Sequence, residues 1–378
     1  MRILHVSTFL QGGAGRVIAS LAVAQQRAGH HVTVVADAGA DTGYGSYPEY
    51  LAQLAEAGVG WHTVCSTFTR DLSLNVQAAR QWRGLVGHQP VDVVHTHAAI
   101  PTLVARIALG RRQHVRVIQT MHGWGICKTP DQEAMDITLL GLADAVVTPS
   151  AAARETLRTL GLADVPIHVI PYGLEREPGN RTVDVDDAAL FARLRADGAS
   201  IVLCIGTLCE RKNQALLVKA LVTLSGVEAV FIGDGDTAPL RTLAAELGVA
   251  ERVHVLGYRA DASRYVPEAD TLVLPSRNEG LPVAVLEALR AGVPVVGSAI
   301  PEIAEAVDDG RSGVLFTPDD CHALASAVRR GVDPSTRDAM RSHARAAFEQ
   351  RYDLGRMIAA YESLYLRSST MSAGESAA

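Results

Sequence analysis

Short, almost continuously apolar runs alternate along this chain with longer stretches whose apolar positions recur every three to four residues. The first run, RILHVS, reads as a strand. The pattern from about Gly15 to Ala28 then reads as a helix that Gly29 stops. HHVTVVA, VDVVHTH, VRVIQTMH, DAVVTPS and IHVIPY are the next strands, with a helix predicted from Pro101 to about Leu109. Strands separated by helical stretches of about 10 to 15 residues signal parallel βαβ units. The second half repeats this grammar: IVLCIGT, VEAVFIGDG, RVHVLGY, TLVLPS, VPVVGS and VLFTP are strands, and a helix is predicted from about Asn213 to Leu224. The fold class is therefore α/β, with two Rossmann-like parallel-sheet domains in succession. The seam lies between Tyr172 and Ser200, where GLEREPGNRTVDVDD is polar and rich in charge and turn residues. We place the N-terminal domain at 1–175 and the C-terminal domain at 176–353. The last helical stretch, from about Pro334 to Leu366, breaks near Tyr352 and Asp353, and residues 369–378 read as a disordered tail.

Length agrees with this division, since 378 residues suit two cores better than one. Hydrophobic residues at 48% and charged residues at 20% leave little room for extensive disorder. A net charge of −6 gives no reason to expect a nucleic-acid partner, whose footprint is a basic face or stripe. No apolar run reaches the roughly 18 residues that a membrane span needs, so no integral membrane segment is expected. The opening MRILHVSTF lacks a signal-peptide layout. Five cysteines, Cys65, Cys127, Cys204, Cys209 and Cys321, are odd in number and scattered, without a C-x-x-C. That spacing speaks for a reducing cytoplasm and against a disulfide framework or a zinc knuckle. The oligomeric state has no signature here.

Doubly wound domains bind ligands outside the carboxyl ends of their strands, so the informative residues are those just after strands. The segment from Ser276 to Val296 is the richest. Glu279 and Gly280 make a turn, Pro282 suits the first helical position, Val283 to Arg290 form a helix, and Gly292 ends it. The amides of Gly280, Leu281 and Val283 then form an anion site of the kind that holds a diphosphate, and Gly280 admits close backbone approach. Two carboxylates, Glu279 and Glu287, flank this site. Eight residues of helix span about 12 Å, too far for a hydrolase acid/base pair, whose carboxyls stand about 5 to 9.5 Å apart. Each carboxylate suits the gripping of a polyol instead. For Glu279 the plainer alternative is a charge favoured by a helix N-terminus.

Other candidates are weaker alone. Arg211 and Lys212 are either a solvated loop or a positive charge for a leaving diphosphate. His122 follows an apolar strand and precedes Gly123. Gly12 and Gly13 resemble a phosphate-binding turn but lack a full G-x-G-x-x-G. Gly233 and Gly235 in FIGDG end a strand. His95 and His97 face the same side of a strand, yet a metal wants a third ligand and none is evident, so structural or acceptor-side roles are favoured and no metal is expected.

The run EGLPVAVLEA with AGVPVV resembles the E-x7-E signature of family 4 retaining glycosyltransferases, which have the GT-B fold. The similarity spans nearly the whole chain. It includes GGAGRV near the start, QTMHG at Gln119, TPS at Thr148, VIPYG at Val169, GTLCERKN at Gly206, FIGDG at Phe231, VLGY at Val255 and S-x-x-P-E at Ser298. Their order and spacing together are far more specific than any one of them.

The resemblance implies two Rossmann-like domains facing a cleft, the C-terminal one holding the nucleotide sugar. The C-terminal helix, about 354–368, would cross back to the N-terminal domain. It implies that Glu279 holds the transferred sugar and Glu287 the ribose diol, and that Lys212 neutralises the diphosphate. Arg211 would stand in for the arginine that the family often carries where this chain has Thr207. His122 would lie near the donor sugar and the scissile bond, with the catalytic role of hydrogen-bonding the sugar and stabilising developing charge. Gly12, Gly13, Thr207, Gly233, Gly257, Tyr258, Arg259, Gly280, Leu281, Pro282 and Val283 would line the donor. Arg16, His97, Trp124 and the loops Asp37–Tyr47 and Trp124–Pro130 would serve the acceptor. Front-side attack with retention is implied, without a tightly bound cofactor. The expected reaction moves a hexose or N-acetylhexosamine, from a UDP-sugar by preference, to a hydroxyl of a small molecule or glycan, in a setting such as specialised metabolism. A nucleotide-sugar epimerase of the same fold and a non-catalytic nucleotide-sugar-binding protein are the alternatives.

Overall fold

A computed structural model describes residues 1–39, 44–86, 90–112, 115–125, 128–176 and 182–366. Parts of the two expected acceptor loops, part of the polar seam, Cys127 and the expected tail at 369–378 fall outside these residues. Contacts divide the chain into two units, Met1–Tyr172 with Gly355 onward, and Gly173–Leu354.

The first unit is built on a seven-stranded sheet. Its strands in chain order are β1 (Arg2–Val6), β2 (His31–Asp37), β3 (Gly60–Val64), β4 (Val93–Thr96), β5 (Arg116–Thr120), β6 (Ala145–Thr148) and β7 (Ile167–Val169). They lie in the order β3-β2-β1-β4-β5-β6-β7, every pair parallel. β1, β4, β5 and β6 are buried along nearly their whole length, which is why they read as unbroken apolar runs rather than alternating ones. β3 has no such run: His62 and Thr63 face solvent at the sheet edge, and the apolar pattern did not predict it. Trp82, Val94, Val104 and Val117 fill the layer between β4, β5 and the helices Leu72–Val86 and Ala99–Leu109.

The second unit carries β8 (Ser200–Ile205), β9 (Val227–Ile232), β10 (Val253–Gly257), β11 (Thr271–Leu274), β12 (Val295–Ser298) and β13 (Gly313–Phe316). Their order is β10-β9-β8-β11-β12-β13, again all parallel. Leu217 from the helix Gln214–Ala220 and Val328 from the helix Cys321–Val332 are fully buried in one cluster with Phe231, Val273 and Val296. Each such side chain contributes about 1.5 to 3 kcal/mol of apolar transfer.

The order of each sheet reverses once, between β1 and β4 in the first unit and between β8 and β11 in the second. The crossover helices diverge there, so the carboxyl ends of those strands are where a doubly wound sheet leaves room for a ligand. Within each unit, most residues singled out from the sequence follow these strands or their immediate neighbours, while Gly257, Tyr258 and Arg259 lie at the end of β10 on the sheet edge.

The helix Pro334–Arg351 ends at Tyr352, where the sequence pattern breaks. Leu174 N–H donates to Tyr352 O and Leu354 N–H donates to Leu174 O, which ties the two chain crossings together. Gly173 is required there, because a Cβ would sit 2.6 Å from Asp353 O. The helix Leu354–Leu366 then packs in the first unit, with Tyr361 and Tyr365 buried against β4 and β5. Among the described residues, Cys65, Cys204, Cys209 and Cys321 are free thiols, and no helix is long and apolar enough to cross a membrane.

Candidate active site

In the second unit, the loop after β8 begins at Gly206, whose φ of +151° suits glycine. The stem of Lys212 lies over it: a Cβ on Gly206 would come within 3.3 Å of Lys212 Cε. A short 3₁₀ turn, Glu210–Lys212, ends at Asn213 in the left-handed conformation. Asn213 Nδ2 donates to Asp319 Oδ1 at 2.9 Å. These two are the non-glycine residues of positive φ among those described. Asn and Asp tolerate that region better than other side chains, and such strain gathers at functional sites.

The turn aims Lys212 at the loop after β11. Lys212 Nζ donates to Glu279 Oε1 at 2.6 Å, and Arg211 Nη1 donates to Glu279 Oε2 at 3.3 Å and to Asn278 O at 3.0 Å. Glu279 is 7% exposed. Burial pushes its carboxyl up, but Lys212, Arg211 and the Ser276 hydroxyl outweigh that and hold it below the usual carboxylate range. Two strand-end loops thus meet in a buried carboxylate gripped by two cations.

Glu279 leads into the helix Val283–Ala291. The sequence placed Pro282 at the first helical position. The structure places it one residue earlier, as the N-cap with ψ 115°, and its carbonyl accepts from Val285 N–H. The amides of Val283 and Ala284 open the helix. Gly292 closes it in the left-handed conformation, as the sequence suggested. Glu287 is buried on the second turn of this helix, so both carboxylates of the signature lie inside the protein surface.

The loops after β9 and β10 are tied to the same edge. Gly206 N–H donates to Ile232 O, Leu208 N–H to Asp234 O, and Gly233 N–H to Gly257 O. A Cβ on Gly233 would lie 1.9 Å from Gly206 O, so glycine is obligatory there for close approach of two loops. Gln214 Nε2 donates to Thr207 O at 2.9 Å. Tyr258 is 40% exposed. Arg259 is engaged elsewhere: it forms a two-pronged pair with Asp187 at 2.7 and 3.0 Å and donates to Leu256 O and Tyr258 O. It clamps the loop after β10 onto the helix Val185–Ala196.

In the first unit, His122 follows β5 and stacks beside His97, which follows β4. His122 Nε2 is 3.0 Å from His97 Nδ1, and its Nδ1 is 2.7 Å from the Tyr172 hydroxyl. Both ring nitrogens are therefore engaged within the unit. Burial drives the His122 pKa down to about 4, so the ring is neutral. The third histidine that the sequence did not reveal is His5. It lies opposite His95 in the register of β1 with β4, and the ligand atoms of His5, His95 and His97 fall within 4.8 Å of one another. These rings are already paired: His5 Nδ1 with His97 Nε2 at 2.9 Å, and His95 with the Tyr365 and Thr120 hydroxyls, each at 2.7 Å.

Gly12 has φ +55° and Gly13 follows it in the first turn of the helix Gly12–Arg27, which starts three residues earlier than its apolar pattern. Gly15 carries the tight packing, since a Cβ there would meet Leu10 C at 2.4 Å. Arg16 is half-buried on that helix. Trp124 packs against the cluster of Met121 and Leu140. Its indole N–H donates to Glu133 at 2.7 Å, and Lys128 Nζ lies 3.2 Å over its ring.

Two family models match this chain, Glycosyltransferase Family 4 over residues 11–177 and Glycosyl transferases group 1 over 199–333. The chain is a glycosyltransferase whose first half matches family 4. A D-inositol 3-phosphate glycosyltransferase of Catenulispora acidiphila is 28% identical over 72% of this chain and 72% of its own length. That of Acidothermus cellulolyticus is 30% identical over 65% of this chain, which spans 60% of that relative. Anabaena HepE, solved with UDP and glucose, superposes with a TM-score of 0.81 at 19% identity, covering 96% of this chain and 99% of its own. That likeness establishes the fold, GT-B.

In this glycosyltransferase, the second unit brings Arg211, Lys212 and Glu279 into direct contact, with Gly206, Gly233 and Gly257 tied behind them. The first unit joins His122 and His97, and Trp124 carries Lys128 over its ring, which in turn pairs with Asp136. Sequence reasoning missed His5, Gln25, Tyr172 and Tyr365. The available signal was that His5 and His95 each sit inside an apolar strand, where a buried imidazole needs partners.

Proposed function

We propose that this glycosyltransferase moves a hexose or N-acetylhexosamine from a UDP-sugar to a hydroxyl of a small molecule or glycan, with retention at the anomeric carbon. The observation that carries this reading is the Lys212–Glu279–Arg211 contact at the entrance to the helix Val283–Ala291, behind the strand pair where the second sheet reverses. An arriving diphosphate competes with Glu279 for the two cations. Glu279 is thereby freed to accept from sugar hydroxyls while Lys212 and the helix amides face the phosphates. Glu287 takes the ribose diol. As the bond from the anomeric carbon to the phosphate oxygen breaks, the acceptor oxygen bonds to that carbon on the same face. The acceptor's proton passes to the departing phosphate oxygen, and the nucleoside diphosphate leaves. Lys212 and Arg211 offset the charge that builds up there, so the step needs no tightly bound cofactor. The UDP bound by the HepE structure supports the choice of base.

The test is a thermal-shift screen of UDP- and GDP-sugars, followed by mass analysis with candidate acceptors and NMR of the product anomer. A retained anomeric configuration is expected. An inverted product refutes the mechanism. A released epimer without acceptor refutes the reaction class, and donor binding without turnover over a broad acceptor panel points to a binding protein.

A further inference from the structure

Gln25 sits on the helix Gly12–Arg27, fully buried, where two lines of polar side chains meet. Its Oε1 is 2.8 Å from His5 Nε2, and its Nε2 donates to the Tyr365 hydroxyl at 3.2 Å. That assignment of amide oxygen and nitrogen is the one the distances favour. An N–H···O bond extends to about 3.2 Å, whereas hydroxyl donors keep to about 3.0 Å or less. The reversed amide would require the Tyr365 hydroxyl to donate across the longer gap.

From that one acceptor the protons of three rings follow. Burial holds His5, His97 and His122 below their ordinary pKa, so each carries a single ring proton. Gln25 Oε1 can only accept, so His5 bears its proton on Nε2 and offers a lone pair at Nδ1. His97 Nε2, 2.9 Å away, must then donate, which leaves His97 Nδ1 as a lone pair. His122 Nε2, 3.0 Å from it, must donate in turn, so His122 Nδ1 accepts from the Tyr172 hydroxyl at 2.7 Å. On the other side Tyr365, accepting from Gln25, donates to His95 Nδ1, and His95 Nε2 donates to Thr120. No link sets donor against donor or lone pair against lone pair.

We propose that Gln25 is a positioning residue: through His5 and His97 it fixes His122 as the Nε2–H tautomer with Nδ1 bound to the Tyr172 hydroxyl. Its use in catalysis rests on the reading that His122 serves the transfer reaction. The wrong tautomer would put facing lone pairs, or facing N–H groups, at one of these contacts and turn the His122 ring from its place. In this arrangement the nitrogens of His5, His95 and His97 are engaged by one another and by Gln25, His122, Tyr365 and Thr120 rather than turned toward a shared metal.

The experiment is long-range ¹H–¹⁵N NMR of the full chain with ¹⁵N-labelled histidine near pH 7.5, on the wild type and on Gln25→Met, which keeps the side-chain length and removes the amide. In the wild type, His5, His97 and His122 should each show a protonated Nε2 and an unprotonated Nδ1. In Gln25→Met a second tautomer of His5 and His122 should appear. The kcat should fall about ten-fold or more, with KM for the nucleotide sugar nearly unchanged. An Nδ1–H form of His122 in the wild type overturns the proposal, and this holds even if Gln25→Met does not fold. So do unmoved tautomers in the variant, or stoichiometric zinc in the purified protein with the ring shifts of a metal-bound triad. A tautomer change without any change in turnover upholds the chain of protons and overturns the placement of His122 in the reaction.

Discussion

Acidification should unfold the first unit before the second. Burial drives His5 and His122 down to about 4 and His95 and His97 well below the ordinary value of 6.5, with neighbouring histidines adding to the shift of His95 and His97. A histidine held neutral in the fold binds more protons once unfolded. Its contribution is therefore fully present above about pH 6.5 and is lost as pH falls from there toward the folded value. Between pH 7 and pH 5 that loss is roughly 2 kcal/mol for each ring and up to roughly 7 kcal/mol for the four, as large as the whole stability of many domains. In the second unit the lowered groups include the carboxylates Asp187 and Glu279, whose contribution is lost only as pH falls through the carboxylate range below them. The assay is built into the chain. All three tryptophans, Trp61, Trp82 and Trp124, belong to the first unit. Tryptophan emission followed from pH 7 to pH 4 should shift near pH 5 while much of the far-UV circular dichroism persists. In urea melts monitored by tryptophan, stability should drop by several kcal/mol over that interval, and His95→Gln should flatten the slope by about one proton, 1.4 kcal/mol per pH unit. A tryptophan signal that stays native to pH 4, or a slope unaltered in the variant, would refute the claim that these rings are neutral and buried.

Lys212→Ala should lower kcat by about a hundred-fold or more, since it removes the charge facing the departing diphosphate. It should also destabilise the second unit by about 3 kcal/mol, because the cation at 2.6 Å is lost and the buried Glu279 keeps the longer Arg211 contact at 3.3 Å; steady-state kinetics and thermal melts read both, and near-normal turnover would sink the site. Glu287→Ala should weaken donor binding by about ten-fold or more and beyond what Glu287→Gln does, since the amide keeps an acceptor oxygen; calorimetry giving equal affinities for the two variants would remove Glu287 from the ribose. Gly233→Ala should cost at least about 2 kcal/mol, since its Cβ has no room beside Gly206 O; a thermal melt as stable as wild type would show that the two loops can part.

Local chemistry made most of the fold legible, and pairing across the sheet hid the rest. Among the described residues, twelve of the thirteen strands announce themselves as apolar runs because parallel strands are covered on both faces. β3 escapes because an edge strand with exposed His62 and Thr63 has only half a face to bury. The helix Gly12–Arg27 starts before its apolar stripe because glycine can open a first turn that nothing buries. Lys212 and Glu279 could each be picked out as residues following a strand, but not as partners. Their contact exists because β8 and β11 are neighbours, an order set by the one reversal in the sheet. The same reasoning explains His5. Read alone, His95 and His97 look like two ligands lacking a third, and the missing ring sits one strand over, brought into register by the pairing of β1 with β4. Once there, it pairs with His97 at one ring nitrogen and with Gln25 at the other. A buried imidazole must both give and take one hydrogen bond, and a row of them satisfies that requirement for every member but the ends. Gln25 at one end and Tyr172 at the other are therefore as necessary to His122 as its immediate neighbour, although neither stands in a motif with it.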